Sequence, residues 1–246
     1  MTIAVVNQKG GTGKTTSTIN LGKSLEEKGK RVMLVDMDPQ GSLGYSLGIV
    51  DKDKTIAELL YGEADLSEVI VSREGMDVIP SSVTLADVEL SLVDAENREF
   101  RLKEILEQLT GYDYIFIDCP PSLSMLTVNA LTASQYVLIP MLMEVLSLQG
   151  LDLISETLAK VKKSLNPELS VLGILPVMVD RRRKLSSEVF DHIQSNYDFK
   201  LFDTQIRPNV RASEAPSFGQ SVITYSPGSN SANDYLELSE EFLKLV

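Results

Sequence analysis

Residues 2–16 of the chain read Thr2-Ile-Ala-Val-Val-Asn-Gln-Lys-Gly-Gly-Thr-Gly-Lys-Thr-Thr16. The apolar, β-branched run at residues 3–6 predicts a buried strand, and the apolar spacing of residues 15–28 predicts a helix directly after the glycines. A strand, a glycine-rich turn and a helix N-terminus form a cradle for phosphate, because backbone N–H groups and the positive end of the helix dipole converge on the anion. The opening of the chain therefore predicts a phosphate-binding loop.

Each residue type in this loop has a chemical reason to be there. The glycines at positions 10, 11 and 13 allow the backbone to curl close to a ligand. Lys14 is placed to reach the β- and γ-phosphates of a nucleotide, and the Thr15 hydroxyl is placed to hold Mg²⁺. The loop therefore predicts a nucleoside triphosphate and Mg²⁺ as ligands.

The loop departs from the general P-loop pattern at one position. That pattern has a glycine where this chain has Gln8, and an additional lysine, Lys9, precedes the glycines. The segment Lys-Gly-Gly-Thr-Gly-Lys-Thr-Thr resembles the deviant Walker A motif of the ParA/MinD group of ATPases. The resemblance implies ATP as the nucleotide, and it implies that Lys9 reaches across a dimer interface to the partner's phosphates. The expected nucleotide-binding residues here, of which both lysines also act in catalysis, are Lys9, Gly10, Gly11, Thr12, Gly13, Lys14, Thr15 and Thr16.

The composition is that of an ordinary globular protein. The 246 residues are 43% hydrophobic and 24% charged, and this length fits one α/β domain spanning residues 1–246. No apolar run approaches the ~18 residues that a membrane-spanning helix needs. The single cysteine, Cys119, excludes an internal disulfide and fits a reducing cytoplasm. The net charge of −12 argues against general affinity for nucleic acid, so any DNA contact has to come from a local basic patch.

Two further apolar runs end in aspartate. Residues 30–36 predict a second strand that ends in Asp36, and Asp38 follows two residues later. Residues 112–118 predict a third strand that ends in Asp118, which matches the Walker B pattern of an acid that holds Mg²⁺. Ligands of an open α/β sheet sit at the carboxyl ends of its strands, so these acids are expected beside the phosphate-binding loop.

The segment Asp36-Met-Asp38-Pro-Gln-Gly41 resembles switch I of ParA proteins. The resemblance implies that Asp38 is catalytic, because it orients or activates the water that attacks the γ-phosphate. Two solvated loop acids are the alternative for this segment. The residues expected to serve the metal are Thr15, Asp38 and Asp118.

The remaining apolar segments alternate between strands and helices. This alternation predicts an α/β fold with a doubly wound, mostly parallel sheet flanked by helices, as in P-loop NTPases. We expect further strands at residues 76–80, 136–140 and 171–179, and helices at residues 55–60, 148–164 and 231–246. Residues 82–108 predict one long or broken helix. The last helix is rich in acids, so we expect it to pack against the sheet and not to bind an anionic membrane.

A short basic run interrupts this acidic chain at residues 180–186. Four consecutive cations favour contact with the DNA backbone, and a solvated charge run in a loop is the alternative. The candidate DNA-binding residues in this run are Arg181, Arg182, Arg183 and Lys184.

A second basic segment lies at residues 207–219. It resembles the ParA stretch in which an asparagine lies near adenine and the last arginine binds DNA. The resemblance places Pro208 and Asn209 at the nucleotide and Arg211 on DNA. This chain has Arg207 before Pro208, whereas the family pattern has proline before arginine.

The motifs at residues 9–16, 36–41, 114–122 and 207–219 together resemble the ParA/Soj partition ATPases. The resemblance implies a slow ATPase that forms a homodimer around ATP, binds DNA non-specifically in that state, and drives chromosome or plasmid segregation with a ParB-type partner. It also implies a cytoplasmic, nucleoid-associated location and no membrane partner. A MinD-like ATPase acting on a membrane or protein cluster is one alternative, and a regulatory protein that reads nucleotide without hydrolysing it is another.

Overall fold

A computed structural model describes residues 1–92, 95–179 and 184–246. The strands in this part of the chain are β1 (Thr2–Val5), β2 (Val32–Asp36), β3 (Val71–Arg73), β4 (Met76–Ile79), β5 (Tyr114–Asp118), β6 (Tyr136–Leu142) and β7 (Ser170–Val177). They form one sheet in the order β3-β4-β2-β5-β1-β6-β7. Every neighbouring pair is parallel except β3 with β4. The mostly parallel α/β sheet expected from the sequence is therefore confirmed.

Helices connect the strands and cover both faces of the sheet, where two separate apolar clusters are buried. The longer helices are α1 (Lys14–Glu26), α5 (Leu85–Leu92), α7 (Met125–Ala133), α8 (Val145–Ser164), α9 (Lys184–Asn196) and α12 (Asn230–Leu243). The shorter ones are α2 (Ser42–Ser46), α3 (Ile56–Tyr61), α4 (Leu66–Val69), α6 (Arg101–Leu106), α10 (Val210–Glu214) and α11 (Val222–Tyr225), with a 3₁₀ turn at Ala215–Phe218.

The C-terminal helix α12 packs against the sheet, as its apolar face predicted. The ring centroid of Phe242 lies 5.3 Å from that of Tyr114 and 5.8 Å from that of Phe116 on β5. Tyr235 and Leu238, on the same face of the helix, are also buried. The burial of this face joins α12 to the centre of the fold.

Residues 82–108 take the broken form of the predicted helix. The first part, α5, ends at Leu92, and the second, α6, begins at Arg101. Asn129 on α7 holds the start of α6, because its Oδ1 accepts the Leu102 N–H at 3.1 Å and its Nδ2 donates to the Arg98 carbonyl at 2.8 Å. A contact from a distant helix therefore sets where the second helix begins.

Two other predictions from the sequence need correction. Strand β7 ends at Val177 and not at residue 179, because Met178 takes a left-handed φ of 52° that extended backbone does not allow. The sequence analysis also left out β3, an antiparallel edge strand of three residues with a mostly exposed surface.

Candidate nucleotide-binding site

The carboxyl ends of β1, β2 and β5 bring three predicted motifs to one edge of the sheet. Val5 on β1 and Asp36 on β2 are both in register with Asp118 on β5. The glycine-rich loop leaves β1 at this edge and leads into α1. Parallel pairing therefore places the loop beside the acids, as the strand-end argument predicted.

The glycine-rich loop has an open, left-handed path. Gly11 and Gly13 have φ values of 72° and 73°, a region that favours glycine, and Gly13 is the residue that precedes α1. A Cβ atom added to either glycine would meet no described protein atom within 4 Å, so the space in front of the loop is open for a ligand. Buried Asn7 fixes the base of the loop, since its Nδ2 donates to the Pro140 carbonyl at 2.7 Å and its Oδ1 accepts the Lys9 N–H at 3.0 Å.

Lys14 and Thr15 begin α1 next to the acid of β5. Lys14 is buried, and this burial lowers the pKa of its ammonium group, while the nearby Asp118 carboxylate acts in the opposite direction. The Thr15 hydroxyl donates to Asp118 Oδ2 at 2.6 Å. Thr12 is also buried and donates to the Lys9 carbonyl at 3.2 Å. These contacts place Lys14 and Thr15 beside Asp118, whereas Thr12 is held by the loop itself.

Two fully buried carboxylates lie side by side at this edge. Burial raises the pKa of Asp118 to about 7, and the Thr15 hydrogen bond opposes that rise. The pKa of Asp36 is also raised well above its ordinary value, first by burial and then by the charge of Asp118. A divalent cation placed beside these oxygens would favour their ionised forms.

The oxygen donors at this edge fit Mg²⁺. The Thr15 hydroxyl donates a hydrogen bond to Asp118, which leaves the lone pairs of the hydroxyl oxygen available to a metal. No group of three or more acidic, histidine or cysteine side chains forms a metal cage within residues 1–92, 95–179 and 184–246. Mg²⁺ usually binds through one or two protein oxygens together with phosphate and water, so this sparse donor set suits a nucleotide-bound Mg²⁺.

Asp38 lies within the predicted switch segment and is half-buried. Its Oδ1 accepts the Gln40 N–H at 3.0 Å, and its carbonyl accepts the Gly41 N–H at 2.9 Å. The carboxylate therefore forms a local turn beside the loop and stays accessible to water.

Asp36 holds the same segment, a role that the sequence analysis did not assign. Its carboxylate accepts the backbone N–H groups of Asp38 and Leu43, each at 3.0 Å. The sequence did contain a signal for this role, since it predicted an acid at the end of a central strand. Such an acid is buried and needs hydrogen-bond donors.

Lys9 forms an ion pair within its own chain. Its Nζ lies 3.0 Å from Glu144 Oε2, and the two side chains are 42% and 45% exposed. Glu144 directly precedes α8 and was not among the predicted site residues. Because the pair is so exposed, it holds Lys9 only weakly.

A cavity of about 420 Å³ lies next to the loop. Its walls include Gly13, Thr16, Met178, Pro208, Asn209, Val210 and Tyr235. Asn209 precedes α10, and its Oδ1 accepts the Arg211 N–H at 2.8 Å. The structure thus brings Thr16, Pro208 and Asn209 to one cavity, and it adds Met178 and Tyr235, which the sequence analysis missed.

The predicted DNA-binding residues are described only in part. Arg181, Arg182 and Arg183 lie outside the described residues, and Lys184 is the first residue of α9. Arg211 is 54% exposed, and its guanidinium group pairs with Glu214 on the next helical turn at 2.8 Å. Within the described ranges, no helix is long and apolar enough to span a membrane.

The glycine-rich loop at the end of β1, with an acid at the end of β5, defines the class of P-loop nucleoside triphosphatases. A family model described as an AAA domain matches residues 1–171. The sporulation initiation inhibitor protein Soj of Bacillus subtilis (strain 168) is 46% identical over 244 residues, which cover 97% of this chain and 96% of that protein. The chain therefore belongs to the ParA/Soj family of P-loop ATPases.

A second relative agrees with this family assignment, and a solved structure agrees with the fold. The chromosome partitioning protein ParA of Caulobacter vibrioides (strain NA1000 / CB15N) is 42% identical over 248 residues, which cover 98% of this chain and 93% of that protein. The crystal structure of cobyrinic acid a,c-diamide synthase from Mycobacterium smegmatis, with bound ATP analog and magnesium, has a TM-score of 0.87 at 36% identity. That match covers 99% of this chain and 94% of the other.

Proposed function

We propose that the protein binds ATP with Mg²⁺ at residues 9–16 and uses its hydrolysis to segregate DNA. The observation that carries the proposal is the 2.6 Å hydrogen bond between Thr15 and Asp118, beside buried Lys14 at the start of α1. Lys14 would pair with the phosphates, and the Thr15 hydroxyl with Asp118 would hold Mg²⁺, which neutralises phosphate charge. The similarity to a ParA protein that is named for chromosome partitioning supports the biological role.

The adjoining cavity suits the base of the nucleotide. It begins at Gly13 and Thr16, so a nucleotide with phosphates on the loop would reach it directly. Asn209 uses its Oδ1 to cap α10, which leaves its Nδ2 as the group for a base nitrogen. We assign Pro208 and Asn209 to the base on this ground.

Hydrolysis needs a positioned water near the γ-phosphate. Asp38 is the half-buried acid of the switch segment, and Asp36 holds the backbone around it through the Asp38 and Leu43 N–H groups. We assign Asp38 to orientation of the attacking water. One chain alone positions the attacking water and stabilises the charge on the transferred phosphate only incompletely. We therefore expect slow turnover that a ParB-type partner stimulates.

Dimerisation would follow from the exposed position of Lys9. The ion pair with Glu144 is about half exposed, and such pairs typically contribute only about 0–1 kcal/mol. The phosphates of a nucleotide held by a second copy would therefore compete well for Lys9. ATP would then join two copies of the chain.

The joined copies would combine two basic surfaces. The net charge of −12 opposes DNA binding by one copy, so affinity has to come from the run at residues 181–184 together with Arg211. Two linked patches bind far more tightly than one. DNA binding would thus depend on ATP, and the protein would be found on the nucleoid.

The deciding experiment is binding to random-sequence DNA without nucleotide, with ADP, and with a non-hydrolysable ATP analogue. We expect binding only with the analogue, together with a dimer by light scattering. Binding to anionic vesicles and not to DNA would favour the MinD-like alternative and contradict our proposal.

The Arg211→Glu variant tests the DNA surface itself. We expect it to weaken DNA binding at least tenfold while ATP turnover without DNA is unchanged. The substitution removes a contact with a DNA phosphate and also places a negative charge there that repels the phosphate. The matched control is Arg101→Glu, since Arg101 also pairs with an acid three residues later and is similarly exposed. Equal effects of the two variants would show that Arg211 has no specific role.

A further inference from the structure

Arg207 and Asp234 connect the segment after β7 to helix α12. Asp234 is almost fully buried, and its Oδ2 accepts the Arg207 backbone N–H at 2.8 Å. Arg207 Nε donates to both carboxylate oxygens, at 3.0 and 3.1 Å, and Nη2 donates to Oδ1. Nη2 also donates to the Asn230 carbonyl at 3.3 Å. Both the backbone and the side chain of Arg207 are therefore held by one carboxylate.

This pair lies directly before the two residues that we assign to the base. Upstream, the Ile206 N–H donates to the Pro176 carbonyl at 2.9 Å, and the Val179 N–H donates to the Ile206 carbonyl at 3.2 Å. Downstream, Asn209 caps α10. The segment at residues 207–209, which we call the base loop, is thus fixed on both sides, and Asp234 holds its first residue.

Helix α12 also contacts the helix that carries the phosphate-binding lysine. Tyr235, next to Asp234, lies in the cavity wall, and its hydroxyl is 3.2 Å from the Ser17 hydroxyl on α1. Asp234 therefore joins the base loop to a helix that is itself packed on α1. The distance between the phosphate site and the base loop is set through this connection.

We propose that Asp234 and Arg207 are positioning residues that hold the base loop at the nucleobase. The proposal rests on the proposed function, in which the cavity takes the base of ATP. A buried carboxylate that loses its cationic partner is strongly disfavoured, so the pair keeps the loop in one conformation before the nucleotide arrives. A loop ordered in advance costs less to order on binding, which increases affinity for the nucleoside part of the ligand.

The test measures Kd by calorimetry, in the presence of Mg²⁺, for ATP, ADP and inorganic tripolyphosphate. Tripolyphosphate has the phosphates of ATP and no base. In Asp234→Asn we expect the Kd for ATP and ADP to rise about tenfold, the size of effect that loss of one charged contact gives, and the Kd for tripolyphosphate to stay within about twofold. In steady-state assays the KM for ATP should rise while kcat is unchanged.

Two further variants complete the design. Arg207→Lys keeps the charge and the backbone donor but loses the forked contact, so we expect about a threefold rise in the Kd for ATP even if Asp234→Asn folds poorly. Glu240→Gln is the matched control, because Glu240 is an exposed acid on α12 that also pairs with a cation, Lys28. The control should bind all three ligands as the wild type does.

The ligand series separates the possible results. An equal loss of ATP and tripolyphosphate affinity would mean that the pair only supports the fold, and it would overturn the proposal. Unchanged ATP affinity in a folded Asp234→Asn or Arg207→Lys variant would also overturn it. A wild-type protein that binds tripolyphosphate as tightly as ATP would show that the cavity does not bind the base, and the assignment of Pro208 and Asn209 in the proposed function would fail.

Discussion

Replacement of Asp118 by asparagine should stabilise the nucleotide-free protein and weaken its response to Mg²⁺. Asp118 is fully buried, and this burial raises its pKa from an ordinary 3.8 to about 7. Asparagine has the same shape and keeps an oxygen that can accept the Thr15 hydrogen bond, but it carries no charge. The variant therefore removes the cost of a buried carboxylate with little change in packing.

The sign of the pH effect follows from proton uptake. Between pH 3.8 and about 7, the unfolded chain has lost the Asp118 proton while the folded chain still holds it. Because the folded state binds more protons in this window, stability falls as the pH rises and then levels off above pH 7. As the pH rises through this window, the Asp118 carboxyl should thus lower the free energy of unfolding of the wild type. The Asp118→Asn variant lacks that carboxyl and should not show this loss.

The magnitude comes from the part of this pH window that lies between the two assay conditions. The window ends at the folded-state pKa of about 7, so a change from pH 5 to pH 8 crosses its last two pH units or so. Between pH 5 and pH 8, that difference in proton binding lowers the free energy of unfolding of the wild type by at most about 3 kcal/mol. For a chain of this length, each kcal/mol moves the melting temperature by about 2–4 °C, so we expect the variant to gain at most about 6–12 °C over the wild type at pH 8 relative to pH 5.

The assay is thermal unfolding at pH 5 and pH 8, first in EDTA and then with Mg²⁺ and ATP. Asp87→Asn is the control, because Asp87 is an exposed acid on α5 and should change stability equally at both pH values. With Mg²⁺ and ATP the wild type should gain more stability than Asp118→Asn, since the variant lacks the carboxylate that favours the cation. A variant whose advantage does not grow with pH would refute the argument from burial.

Three other variants test separate parts of the chain. Lys14→Ala should lower ATP affinity at least a hundredfold in calorimetry, because a buried ammonium is lost from the phosphate site, while Lys23→Ala on the same helix should bind normally. Asp38→Ala should bind ATP but hydrolyse it at least tenfold more slowly, which would leave the protein on DNA in gel shifts; an unchanged rate of phosphate release would reject its role. Phe242→Ala should cost about 3–5 kcal/mol in urea unfolding, because a fully buried ring that contacts two other rings is removed.

The phosphate loop and the strand-end acids could be predicted because they are local patterns. An apolar strand followed by glycines fixes the path of residues 9–14, and the acids at positions 36 and 118 are carried to the same edge by the register of parallel strands. No long-range information is needed for these steps. The same reasoning located most strands to within two residues.

The contacts that complete the site could not be predicted, because they join distant residues. Glu144 meets Lys9 across 135 positions of sequence, and the Asp234 carboxylate meets Arg207 across 27. Met178 follows β7 directly and lies in the cavity wall with a left-handed φ, a conformation that neither its side chain nor its neighbours in sequence indicate. Each of these depends on how elements pack after the sheet has formed.

Charge compensation in the described residues bears on the proposal that ATP controls DNA binding. Arg207 is neutralised by Asp234 and Arg211 pairs with Glu214, so neither presents a free charge in this state. The Arg211 pair is about half exposed, and such a pair is readily exchanged for a DNA phosphate, whereas the Arg207 pair is anchored on a buried carboxylate. Arg211 is therefore the better DNA candidate of the two. With a net charge of −12 per copy, a single exchange of this kind gives too little attraction, and a second copy joined through Lys9 and ATP would supply the rest.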